Sequence, residues 1–322
     1  MKITEFFSYC IKCGMEADPR GRDAVKRSLA FEKEKFDKMP AEEKKFYDKE
    51  RLVNPYADSR ILHNPLRGAG GVKKILCGID IDAGEILLAD NLKRNGRGVD
   101  LVMAHHPQGY SYSNFFDVMD MQSEIQSNWG VPINIAEDLL VSRRRDVEMS
   151  VMPRNHTKTV DAAKIIGIPF LNVHTPADNH VASFLGKIFA ASKNLRLKDV
   201  IDRLVKIEEY CWARKNFLPG PKIIVGKPES SAGKIVIDMT GGTEGPVDMI
   251  SKMAEAGVGT IVGMHFSEKH IKKARRSHVN IIIAGHISSD NLGLNLLFDK
   301  IEKKFGGLQI IECSGFHRVS RK

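Results

Sequence analysis

Hydrophobic and polar positions divide the chain into two textures. Over residues 1–64 charged side chains crowd two helix-like stretches, and no strand-like apolar run stands out. Gly21 to Lys38 carries Val25, Leu29 and Phe36 at roughly helical spacing. Pro40 followed by Ala-Glu-Glu predicts a helix start, with proline in the first turn and acids near the positive end of the helix dipole. This stretch is expected to be a helical N-terminal extension whose narrow apolar stripe packs on a lobe or on a neighbouring subunit. From Leu66 onward short apolar runs alternate with amphipathic stretches, the pattern of an α/β fold with mainly parallel strands.

A faint internal repeat organises that second texture. Val72-Lys-Lys-Ile-Leu-Cys-Gly-Ile, a helix-like stretch, and Val99 to Ala104 closing on His105 form the first unit. Its echo is Gly233-Lys-Ile-Val-Ile-Asp-Met, a helix-like stretch, and Val258 to Met264 closing on His265. Each unit reads as strand, crossover helix and strand. The expected architecture is α/β with two related lobes facing across a cleft: residues 65–218 form the first lobe and 219–322 the second, behind the extension of residues 1–64.

Composition narrows the function classes. Among 322 residues, 49 Lys and Arg against 40 Asp and Glu leave a formal charge of +9, which suits an anionic small-molecule partner. No basic run with interleaved aromatics points to nucleic acid, and the clusters Arg143 to Arg145 and Lys272 to Arg276 read as solvated faces. No run approaches the roughly 18 apolar residues of a membrane span, and the start lacks a secretory apolar core, so a cytoplasmic protein with no membrane partner is expected. Five scattered cysteines argue against a disulfide framework. Cys10 and Cys13 form a lone CxxC pair without a completing second pair, and read as two ordinary thiols on a helix.

Histidine placement carries the chemistry. Four apolar runs end in histidine, at His105-His106, His174, His265 and His286, in a chain with 11 histidines. Strands of open α/β sheets present ligand sites at their carboxyl ends, so these imidazoles point at a crevice. Two carboxylates follow at a spacing of four, Asp178 after His174 and Asp290 after His286, which shares a face if a helix opens there. Adjacent side chains on an extended backbone diverge, so His105 and His106 suit two ions more than one. Imidazole with carboxylate suits zinc, iron, manganese, nickel or cobalt. His105, His106, Asp178, His286 and Asp290 make five ligands, enough for two divalent ions sharing a water, and Asp178 is the expected bridge.

These residues resemble the three motifs of the Nif-three-like family, also called YbgI-like and often annotated GTP cyclohydrolase 1 type 2. They read Ala104-His105-His106-Pro107, His174-Thr175-Pro176-Ala177-Asp178 and Gly285-His286-Ile287-Ser288-Ser289-Asp290-Asn291-Leu292-Gly293. The Gly-rich exit Asp238 to Gly245 is also similar, and the resemblance covers about residues 66–312. It implies a two-lobed α/β fold, a dinuclear metal centre held by the same five residues in the interlobe cleft, and a toroidal homo-hexamer. Asp290 stands where the family usually has glutamate, one methylene longer. The stretch from Pro107 to His174 is longer than in compact members, and Asn155-His156 within it is expected to lie outside the cleft.

The expected function is a metal-dependent hydrolase that turns a metal-activated water on an anionic or nucleotide-like substrate. A non-enzymatic metal carrier or regulator is the alternative from another class. His174 is the candidate for a supporting role behind the ligands. Gly241, Gly242 and Thr243 are candidates for substrate binding, through backbone N–H groups at a helix start.

Overall fold

A computed structural model describes residues 1–65, 71–190 and 194–321; the change of texture at Leu66 lies outside these described residues. Among the described residues nine strands form, in chain order β1 (Arg60–His63), β2 (Lys74–Gly78), β3 (Leu101–Ala104), β4 (Phe170–Asn172), β5 (Lys222–Val225), β6 (Lys234–Asp238), β7 (Val258–Gly263), β8 (Asn280–Ile283) and β9 (Gln309–Cys313). They build two sheets, ordered β1-β4-β3-β2-β9 and β5-β8-β7-β6. The fold is α/β, with helices covering both sheets.

The internal repeat is longer than the two-strand unit visible in the sequence. In each lobe a strand pairs antiparallel at one edge, β1 on β4 and β5 on β8, while the inner strands run parallel. Thus β1 to β4 and β5 to β8 follow one plan. Inner strands such as Leu101-Val102-Met103-Ala104 are buried throughout, which explains their unbroken apolar runs. Ala104 and Gly263 end β3 and β7, so the position matching His265 is His106, two residues past the strand end, and not His105.

Several elements lie differently from the sequence expectation. Residues 60–63 are not helical extension but the antiparallel edge of the first sheet. The helix Ile3–Ala17 is not peripheral: Ile3, Phe6, Phe7, Cys10, Ile11 and Cys13 are buried in one core with Ile75, Leu171, Leu294 and Phe298. Of the stripe read on the next helix, Arg22–Lys38, only Val25 is fully buried. At the other end β9 returns to the first sheet, parallel to β2, after the long helix His286–Phe305. Helices Leu197–Leu204 and Glu208–Lys215, assigned by sequence to the first lobe, share one core with Val181 and Leu185 of that lobe and with Val262 and Ile282 of the second.

Two helices matter most for the site. Thr175–Ala190 follows β4 and His286–Phe305 follows β8, and they cross closely. Gly293 permits this, because a Cβ there would lie 2.6 Å from the carbonyl oxygen of Ala177. That contact brings the first turns of the two helices, and hence Asp178 and Asp290, to one place. No helix among the described residues is long and apolar enough to cross a membrane.

Candidate metal centre

The loops after β3, β4 and β8 converge, and His105, His106, His174, Asp178, His286 and Asp290 meet at the cleft. His105, His174, Asp178 and Asp290 are buried, while His106 and His286 are half-buried toward the opening. His105 Nε2 lies 3.3 Å from Asp178 Oδ1 and 3.5 Å from Asp290 Oδ1. His106 Nε2 is 3.4 Å and His286 Nε2 is 3.7 Å from the other oxygen of Asp290, Oδ2. Ligand atoms bonded to one tetrahedral ion at about 2.0–2.2 Å stand about 3.3–3.6 Å apart, so these separations match the edges of metal polyhedra.

The hydrogen-bond pattern tests the fit independently. His105 Nδ1 donates to the carbonyl of Val173 at 3.1 Å, His106 Nδ1 to Asp80 at 2.7 Å and His174 Nδ1 to Asp58 at 2.8 Å. With Nδ1 engaged in this way, the lone pair that each imidazole offers a metal in its neutral form is that of Nε2, which faces inward. Inside, His105 Nε2, His106 Nε2, Asp178 Oδ1 and both carboxylate oxygens of Asp290 are buried without a hydrogen-bond partner. Such atoms are costly to bury unpaired, and a cation among them removes that cost. The donor set fits a transition metal.

Three overlapping groups have all their ligand atoms within 4.8 Å: His105 with His106 and His174, His106 with His286 and Asp290, and His105 with Asp178 and Asp290. Asp290 belongs to both groups that contain a carboxylate. Asp290 thus faces more of the clustered imidazoles than Asp178, the carboxylate that the sequence reading placed between two ions. The reason is orientation, since Asp290 presents one oxygen to His105 and the other to His106 and His286.

Electrostatics favours positive charge here. Burial opposes the ionised form of Asp290, yet His105, His106 and His286 hold its pKa far below the carboxylate range. Burial likewise opposes charge on His105, but Asp290 and Asp178 outweigh it and raise that imidazole well above its ordinary value. Against the same burial, Asp290 and Asp80 lift His106 to about 9. His286, nearer the mouth, is lowered by burial and by the neighbouring His106 and His265. The field that favours a proton on these nitrogens favours a metal cation in its place.

Other candidate residues fall around this cluster. His265 stands beside His286, ring centroids 4.8 Å apart, but outside the donor groups; Glu244 binds its Nδ1 at 3.1 Å. Gly242 and Thr243 line the cleft, whereas Gly241 is buried beneath it. Their turn does not open a helix, since the next one begins at Met249, and it is clamped instead by Gln122, whose amide donates to the carbonyls of Gly241 and Thr243, both at 2.7 Å. Asn155 and His156 do line the cleft, contrary to expectation, because the long stretch before β4 folds back over its mouth. Cys10 and Cys13 are buried and belong to none of the donor groups among the described residues.

Sequence reasoning missed two supporting acids. Asp58, buried beside β1, also accepts from the Thr175 hydroxyl at 2.6 Å, and His174, despite opposing burial, holds its pKa below the usual range. Asp80 follows β2 and serves His106 in the same way. A larger groove than the cleft pocket, about 630 Å³, lies elsewhere, between the helix Arg22–Lys38 and residues 117–144. Its arginines Arg20, Arg51 and Arg144 are already paired with Asp18, Glu124, Glu32, Asp117 and Asp120, while Arg27 and Lys35 also line it.

No protein-family model and no curated protein matches the chain. Among solved structures, a NIF3 superfamily protein from Sphaerobacter thermophilus is 28% identical, over 80% of this chain and 91% of that one, with a TM-score of 0.70. Reduced HcgD from Methanocaldococcus jannaschii is 17% identical over 75% of this chain and 83% of that one, TM-score 0.43. A Bacillus cereus protein related to NIF3 is 11% identical over 76% and 87%, TM-score 0.40.

Proposed function

The chain is a Nif3-like protein, and from that premise we propose that it holds a pair of divalent transition ions and hydrolyses an anionic, nucleotide-like substrate in the interlobe cleft. One observation carries the reading: three imidazoles, each held through Nδ1, turn their Nε2 atoms into a buried space that also receives the two unpaired oxygens of Asp290. The chemistry that such ions bring is stabilisation of developing oxyanion charge and a water of lowered pKa. His105, Asp178 and Asp290 would hold an ion in the deeper part of the cluster, and His106, His286 and Asp290 one nearer the mouth. His174, backed by Asp58, orients Asp178 from the side, its Nε2 3.6 Å from Asp178 Oδ2. Thr243 and the backbone around Gly242 face the same space from the second lobe and are placed to meet the substrate. The +9 net charge draws anions toward the cleft, and a homo-hexameric ring in the cytoplasm completes the reading.

Elemental analysis of the purified protein, combined with a hydrolysis panel of phosphoesters, nucleotides and cyclic amides, tests it. Up to two transition ions per chain and turnover of at least one panel class are expected. Full metal content without turnover across the panel would replace the hydrolase with a metal carrier. Light scattering at one chain mass would remove the ring.

A further inference from the structure

Beside the donor cluster the cleft widens into an open pocket of about 390 Å³, a volume typical of small-molecule sites. Its far wall comes from the long stretch between β3 and β4. Tyr112 and Phe115 lie there with their rings parallel, 7° apart in plane, centroids 5.8 Å. The ring of His156 leans on Tyr112 at 5.5 Å and is held by a hydrogen bond from Nε2 to the carbonyl of Val151 at 3.1 Å. This is a fixed aromatic ledge. Packing Tyr112 and Phe115 leaves them half-buried, with ring surface facing the pocket.

Polar groups at the ledge are short of partners. The Tyr112 hydroxyl makes no hydrogen bond among the described residues. Asn155 spends its amide oxygen on the Thr157 backbone and hydroxyl, at 3.1 and 3.3 Å, which leaves its NH2 group available. Charge is nearly absent from this half of the cleft: no lysine or arginine is among the described lining residues, and Asp80 is already bound to His106. A phosphate or carboxylate thus finds its attraction at the metal half, and the ledge offers a π-face with neutral donors and acceptors. Resting on the metal-site reading above, we propose that Tyr112 and Phe115 form a stacking subsite for a planar heteroaromatic ring, which makes the substrate a molecule with an anionic group at one end and such a ring at the other.

Stacking accepts any flat ring, so the four common 5′-mononucleotides are suitable probes, with ribose 5-phosphate as the control that lacks the ring. Dissociation constants are measured by calorimetry on metal-loaded and on chelator-stripped protein, with metal content determined on the same samples. At least one mononucleotide should bind about tenfold or more tighter than ribose 5-phosphate. Tyr112→Ala should abolish that preference while leaving metal content and ribose 5-phosphate binding unchanged. Tyr112→Phe, which keeps the ring and the fold, should retain most of it. The proposal is overturned if no mononucleotide outbinds ribose 5-phosphate, if the preference survives Tyr112→Ala, or if that variant weakens both ligands alike. Absent metal uptake with an intact ring preference counts against the metal reading alone; full metal uptake without a ring preference counts against the subsite alone.

Discussion

His174 donates from Nδ1 to the buried carboxylate of Asp58 at 2.8 Å, joining residues 116 positions apart in the chain. The bond ties the edge of the first sheet to the start of the helix that carries Asp178. Removing the acceptor frees the imidazole to rotate and leaves the Thr175 hydroxyl without its partner. Asp58→Ala should therefore lower metal affinity about 10- to 100-fold, measured by competition with a chelator. Asp58→Asn keeps an acceptor toward Nδ1 and should recover much of the loss. Equal affinities for all three proteins would show that the contact plays no part in holding metal.

Asp290 and Asp178 should respond differently to the same change. Asp290→Asn weakens both carboxylate-containing groups at once, so elemental analysis should find most metal gone. Asp178→Asn touches the deeper group alone and should leave the outer ion, near one equivalent. Removing a charge buried among imidazoles also perturbs the fold, so circular dichroism must accompany the analysis. If Asp178→Asn empties the site while Asp290→Asn retains metal, the bridge has been assigned to the wrong carboxylate.

What could be read from sequence follows from locality. His105, His106, His174 and His286 stand at strand ends, and Asp178 and Asp290 one helical turn further on, so strand and helix periodicity alone brings them to one crevice. Asp58 carried no such mark, because its partner is reached only through the tertiary pairing of β1 with β4. β1 itself, Arg-Ile-Leu-His, is too short and too polar to stand out as a strand. β9 was hidden for another reason: nothing local says that Gln-Ile-Ile-Glu-Cys pairs back across the chain with β2. Ile3, Phe6, Phe7, Cys10, Ile11 and Gly14 do follow helical spacing, but averaging over a charge-dense region obscured that stripe.

The same helix offers a test of how closely the extension supports the site. A Cβ on Gly14 would lie 2.5 Å from Cβ and 2.6 Å from Cα of Pro176, between His174 and Asp178. Alanine raises helix propensity by up to about 1 kcal/mol, but the proline is part of a packed helix start and has little room to retreat. Overpacking should win, so Gly14→Ala is expected to lose about 1–2 kcal/mol in denaturant unfolding and to bind metal more weakly. A variant as stable as the parent would mean that the helix Ile3–Ala17 rides on the lobe without constraining it.

Two residues beyond Asp178, His180 gives the fold a predictable acid sensitivity. Burial, reinforced by Lys300, lowers its pKa from 6.5 to about 4, while Nδ1 donates to the carbonyl of Pro176 at 2.8 Å. The folded protein keeps this imidazole neutral; the unfolded chain protonates it near its ordinary pKa. Between these two values the unfolded state binds more protons, so stability falls as pH drops from about 6.5 to about 4 and is unaffected by this group above that window. A shift of this size corresponds to about 3 kcal/mol across the window. His180→Gln should cost stability at pH 7.5 yet flatten the slope, so the difference between parent and variant, followed by denaturant unfolding, should shrink on acidification. A parent and variant with parallel pH profiles would place the acid sensitivity in other groups.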